Sequence, residues 1–148
     1  MTLDVDHSRL RGTALTEPVD GVMSTSVAAV HESDDVWGVL QRFQLCGLRH
    51  IVVLDEAEQF VSVLNDRLAA DQVGRDRREL ELLRVRDVVF DRHTFVVTGT
   101  PLQDAAREML RHSAGALAIV DSDRHVLGVV TGADVLRSLV ASADEWVS

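Results

Sequence analysis

The feature that most limits what this chain can fold into is an internal repeat. Asp55 and Asp121 stand 66 residues apart, and so do Val19 and Val85. At the same offset, Val36, Val39, Leu40 and Phe43 are followed by Leu102, Ala105, Ala106 and Met109. Each quartet has the spacing i, i+3, i+4, i+7, one face of an amphipathic helix. The apolar runs Ile51 to Leu54 and Phe60 to Leu64 recur as Leu117 to Val120 and Val126 to Val130. Identities between the halves are few. The order of elements and the apolar positions carry the repeat.

Each half reads as strand–helix–strand–strand–helix. Val27 to Val30 suits a first strand. Ser33, Asp34 and Asp35 are helix N-cap residues ahead of a helix over Val36 to Cys46, and Gly47 is placed to end it. Asp55 to Gln59 is a polar turn, and Asn65-Asp66 can cap a short helix running to about Gln72. Pro101 to His112 carries the matching helix of the second half. A unit this small cannot bury both faces of its sheet. The halves are therefore expected to pack against each other about a pseudo-two-fold axis. The predicted class is α/β in the α+β sense, with a small mixed sheet and flanking helices in each half. The predicted division is a tail over 1–17, a first repeat over 18–73, a charged and mostly solvated linker or connecting helix over 74–84, a second repeat over 85–141 and a tail over 142–148.

Composition narrows the function. The net charge of −9 argues against nucleic acid or an anionic membrane surface as partner. With Cys46 alone, no disulfide can close within the chain, and a buried small residue is its expected role. The six histidines show no ligand spacing, so no metal site is predicted. No Ser-His-Asp or Cys-His context and no Gly-rich phosphate loop is present, which argues against an enzyme. Met1 to Gly12 has no secretory apolar core, and no apolar run approaches the roughly 18 residues of a membrane span. A cytoplasmic protein is the expectation. Trp37, beside the first apolar stripe, is expected at a core edge or an interface.

The stretch Leu127 to Leu136 runs from strand through Thr131-Gly132 into a helix. Thr131 and Asp134 stand three apart at the helix start, and two readings stand. One is a capping box, in which hydroxyl and carboxylate satisfy each other's backbone N–H. The other is a ligand site, where helix N–H groups meet a phosphate and the carboxylate accepts from two sugar hydroxyls.

The residues GVMSTSVAAVHESDDVWGVLQRFQLCGLRHIVVLD from Gly21, and DVVFDRHTFVVTGTPLQDAAREMLRHSAGALAIVDSDRHVLGVVTGADVL from Asp87, carry a resemblance to the CBS domain. Over roughly Pro18 to Ala141 the chain resembles one tandem CBS pair. The resemblance implies a regulatory module that binds AMP, ADP, ATP or S-adenosylmethionine between its halves. It implies that Asp134 holds ribose hydroxyls and that Thr131 lies near the phosphates, with Gly132 beside it a further ligand-binding candidate. It also implies that the backbone at Phe95 and Val96 lines an adenine pocket. Arg49 and His50 could face the phosphates, or could be a solvated Arg and a strand-edge His. Arg92 and His93 are further basic candidates. The first half departs from the pattern: Asn65 and Leu68 stand where Thr131 and Asp134 recur, so at most one well-formed site is expected. The resemblance also implies a homodimer built on Val36 to Cys46 and Pro101 to His112, and a separate effector protein. The alternative is an interaction module with no small ligand.

Overall fold

The computed structural model describes residues 15–89 and 91–147, the side chains of 142–147 excepted. The first sheet contains β1 (Ala29–His31), β2 (His50–Leu54) and β3 (Phe60–Asn65); the second contains β4 (Phe95–Val97), β5 (Ala116–Val120) and β6 (Val126–Thr131). In each, the first strand runs parallel to the second and the second antiparallel to the third. The offset of 66 holds to the residue: Ala29 pairs with Val52 and Phe95 with Ala118, and the bulges fall at Val53/Leu54 and Ile119/Val120.

Helix α1 (Val36–Cys46) starts where the Asp35 carboxylate accepts from Gly38 N at 2.7 Å. It buries Val36, Val39 and Phe43, and Gly47 ends it at φ 61°. Two short helices follow, α2 (Leu68–Asp71) and α3 (Arg77–Leu82). The second half has α4 (Leu102–His112) and α5 (Gly132–Val147). Helix α4 lacks a side-chain cap and ends on Ser113, a non-glycine residue at φ 50°.

Both faces of both sheets are covered, which explains the unbroken apolar strands. Ile51 and Val53 face the first-half core beside α1, and Leu117 and Ile119 face the second-half core beside α4. The alternate residues Val52, Ala118 and Val120 meet Phe60 in a central layer between the sheets.

Each repeat opens with a single turn of 3-10 helix, Val19–Gly21 and Val85–Asp87, that packs into the other repeat. Val19 is fully buried in the second-half core, and Val85 in the first. Backbone bonds lock the exchange: Val19 N donates to Thr100 O at 2.8 Å, and Val85 N to Asp34 O at 2.9 Å.

Four expectations change. The first strand begins at Ala29, because Val27 and Ala28 line a cleft described below. The segment expected as a mostly solvated linker or connecting helix does form a helix, α3, capped by the Asp76 carboxylate on Glu79 N, but it inserts Leu80 into the first-half core. Cys46 is exposed. It falls off the Val36–Val39–Phe43 stripe, at a helix end left in solvent by Gly47. Residues 142–147 continue α5 where a tail was expected. The tail expected over 1–17 lies outside the described residues up to 14. Trp37 packs at the edge of the first-half core, under the Arg77 guanidinium at 4.9 Å.

Candidate functional site

The pseudo-two-fold relates two clefts, each beside the end of a repeat's third strand. The second-half cleft has a volume of about 380 Å³ and an apolar floor that includes Val27, Val52 and Val129. Its polar groups are Ser24, Ser26, His50, Thr131 and Asp134.

Strand β6 delivers Thr131 to the start of α5. Asp134 N donates to Thr131 Oγ1 at 3.2 Å, and Thr131 N donates to Asp134 Oδ2 at 2.8 Å. The capping box is thus formed. The Thr131 hydroxyl also donates to Oδ2 at 3.0 Å, and Arg137 Nη2 donates to Oδ1 at 2.7 Å. Burial pushes the Asp134 carboxyl upward, but the Thr131 and Arg137 bonds together outweigh it and hold it below the ordinary carboxylate range. The cleft therefore presents an ionised carboxylate at a helix N-terminus.

His50 opens β2 and turns its ring into the same cleft. Burial lowers its pKa and Arg49 adds to the effect, while Asp66 opposes both. A Cβ on Gly115 would lie 3.1 Å from His50 Nε2, so the bare glycine makes room for the ring. Among the described residues the ring has no hydrogen-bond partner.

Of the seven residues predicted for the site, the fold brings together Thr131, Asp134 and His50. Arg49 lines a separate groove with Trp37, Leu40 and Asp66. Adjacent residues entering a strand point to opposite faces, which sends Arg49 away from the cleft that holds His50. Phe95 and Val96 border a groove beside α4, with Thr100 and Arg107. Gly132 borders a third, between α4 and α5. Arg92 and His93 precede β4, where the His93 ring stacks on His112 at 6.0 Å.

Sequence reasoning missed Ser24, Ser26, Val27 and Ala28. This strap belongs to the first repeat but crosses to β6 of the second, where Ser24 and Val129 exchange bonds of 2.8 and 2.9 Å. The signal was Gly128: a Cβ there would sit 2.6 Å from Met23 Sδ and 2.8 Å from Ser24 O. Only glycine lets the strap lie this close.

The first-half cleft is about 130 Å³. Leu68 turns into the core, and Asn65 Oδ1 accepts from Arg67 N at 3.0 Å. Ser62, the counterpart of Gly128, donates to Asp91 O at 2.5 Å.

Asp121, Asp123 and His125 gather ligand-type atoms within 4.8 Å. The backbone explains that grouping, since Asp121 Oδ1 accepts from Asp123 N and His125 N at 2.9 Å each. Asp55 organises the matching turn in the same way. No helix among the described residues is long and apolar enough to cross a membrane.

Comparison with known proteins fits this architecture. The chain is 30% identical over 130 residues to the magnesium transporter MgtE of Thermus thermophilus, covering 84% of this chain and 27% of the transporter. It spans only 25% to 29% of the length of the curated relatives it matches. The cytosolic domain of the Mg2+ channel MgtE, solved in complex with ATP, superposes with a TM-score of 0.68 at 27% identity, covering 82% of this chain and 48% of that one. CBSX2, solved in complex with AMP, gives a TM-score of 0.71 at 24% identity, covering 84% of this chain and 97% of that one. Residues 85–141 match the model of the CBS domain. The chain thus carries a CBS domain over residues 85–141 and, with the same elements repeated 66 residues earlier, has the fold of a tandem CBS pair.

Proposed function

We propose that this CBS pair is a regulatory module that binds an adenosine compound in the second-half cleft. The observation that carries the reading is that one cleft of the two joins an ionised Asp134, the Thr131 hydroxyl and a helix N-terminus to an apolar floor. Its volume lies in the small-molecule range. The floor suits a base, Asp134 suits ribose hydroxyls, and the α5 N-terminus with His50 suits phosphate. AMP, ADP, ATP and S-adenosylmethionine are the candidates, and the neighbours solved with ATP and AMP support the choice. The ligand acts by favouring one arrangement of the halves and so shifting a population read by a separate effector protein. A cytoplasmic location and the absence of catalysis go with this reading.

The test is a thermal-shift panel of AMP, ADP, ATP, S-adenosylmethionine, NADH and GMP, on wild type and Asp134→Ala. At about a hundredfold excess over Kd, a ligand adds about 2.7 kcal/mol to the native state. The expected result is a shift with an adenosine ligand that Asp134→Ala loses. No shift with any compound overturns the reading.

A second reading, an interaction module, has its own observation. Leu110 is 81% exposed and Leu136 64% exposed, and both border the groove between α4 and α5. Leu45 on α1 is 80% exposed. These residues suit a homodimer through α1 and α4. Sedimentation of wild type against Leu110→Arg is expected to show a dimer dissociated by the substitution.

A further inference from the structure

Asp134 is not an idle carboxylate waiting for a ligand. Oδ2 already accepts twice from Thr131, at 2.8 and 3.0 Å, and Oδ1 accepts from Arg137 at 2.7 Å. A carboxylate offers about four lone-pair positions, so roughly one remains open. A ligand with a single hydroxyl needs one. A ligand with hydroxyls on adjacent carbons needs two, and one existing bond must go. The Thr131 N bond is part of the helix start and cannot leave without undoing the cap, and the Thr131 hydroxyl stays beside Oδ2 because its oxygen accepts from Asp134 N. The Arg137 bond can leave: its side chain is 73% exposed, against 17% for Asp134, and the freed guanidinium returns to water. From this geometry, and resting on the nucleoside reading of the cleft, we infer that Arg137 is a positioning residue. It holds Asp134 in place at rest and competes with a vicinal diol for Oδ1.

The pseudo-symmetry supports the assignment. The residues 66 before Asp134 and Arg137 are Leu68 and Asp71. The first half thus lacks both members of the pair: Asp134 lines the larger cleft, and Arg137 holds it from the exposed side of α5. The contact also sets a salt response. Salt screens an exposed ion pair. An uncharged nucleoside would then bind more tightly as salt rises, the reverse of the usual effect on a charged ligand.

The experiment is isothermal titration of wild type, Arg137→Ala, Arg137→Lys and Asp134→Ala with adenosine and with 2′-deoxyadenosine. Each is run at about 0.05 M and about 0.5 M salt, concentrations that bracket weak and strong screening. An ion pair this exposed opposes a competitor by a factor of about two to five. Arg137→Ala is expected to tighten adenosine by that factor and to remove its salt response. It is expected to leave 2′-deoxyadenosine unchanged, and Arg137→Lys is expected to stay near wild type. Adenosine binding to Arg137→Ala that is unchanged or weaker overturns the inference. So does an equal gain for both nucleosides, because a general effect on the cleft would act on both. Failure of adenosine to bind any variant overturns the nucleoside reading itself. If wild type binds and Asp134→Ala binds equally well, the ribose assignment falls, and the role of Arg137 falls with it.

Discussion

The two clefts occupy matching places in two repeats whose strands agree residue for residue, yet they differ about threefold in volume, 380 against 130 Å³. Two exchanges account for this. In the second half Gly128 lets the Met23–Ser24 strap lie flat on β6, pairing through its backbone. In the first half Ser62 occupies that position and holds the corresponding strap by its side chain at Asp91 O. The second exchange is Asp134 for Leu68: one brings a carboxylate to its cleft, the other an alkyl side chain buried between its cleft and the core. A duplicated fold can thus keep its frame intact while single positions set its two clefts apart.

Transplanting these residues tests that account. Gly128→Ser gives the second half the first half's residue. The added Cβ would meet Met23 Sδ at 2.6 Å and the Ser24 carbonyl at 2.8 Å, and the backbone atom cannot swing away. Overpacking of this kind costs about 1–3 kcal/mol. Chemical denaturation should show that loss, and the ligand response should go with it. Unchanged stability would mean the strap is not held as described.

Asp134→Leu gives the cleft the residue of its counterpart and should remove the proposed ribose contact. A charge-assisted hydrogen bond contributes about 1.5–3 kcal/mol, so adenosine affinity should fall tenfold or more. Losing the capping carboxylate should also cost about 0.5–2 kcal/mol in denaturation.

A smaller effect separates the clefts by pH. His50 has Ala116 as its counterpart, so one cleft alone carries an imidazole. Its folded pKa is lowered by burial, so the unfolded chain binds the proton more readily. The stability this contributes is complete above the unfolded value of about 6.5 and is lost as pH falls toward and through the folded value. Between pH 7.5 and 5.5, wild type should lose more stability than His50→Gln. Equal slopes would show that the ring is not desolvated.

The smallest effect contrasts the ends of α1 and α4. Gly47 and Ser113 take the same left-handed conformation, at φ 61° and 50°. Ser113→Gly should stabilise by about 0.5–1 kcal/mol, and Gly47→Ser should cost a similar amount. Thermal melts measure both.

Much of the frame was legible in the sequence, because apolar periodicity is set by contacts each element makes with its own core. The 66-residue offset located the second and third strands of both repeats, and Thr131–Asp134 was readable as a cap from spacing alone. The cleft's far wall was not legible. Ser24 to Ala28 reaches it through a crossing between repeats, and no local pattern encodes which half a strap will lie on. Arg49 and His50 were grouped by adjacency, whereas strand alternation separates them. Phe95 and Val96, expected at an adenine pocket, border a groove beside α4, while the cleft beside Asp134 draws Ser24 to Ala28 from the other repeat. The segment 74–84 reads as mostly solvated because charged residues dominate it, and only the tertiary fold shows that Leu80 is buried.

The exchanged opening turns set the size of the smallest unit that can stand alone. A single repeat would leave open the slot that Val19 or Val85 fills, and its own turn would have nowhere to go. Two separate copies could repair this by trading turns. In that light the tandem chain is two mutually completing molecules joined end to end, with the partner's supply made permanent by the covalent link. Such a chain tolerates drift in one binding cleft while the frame persists, because each half remains indispensable to the other whether or not it binds anything.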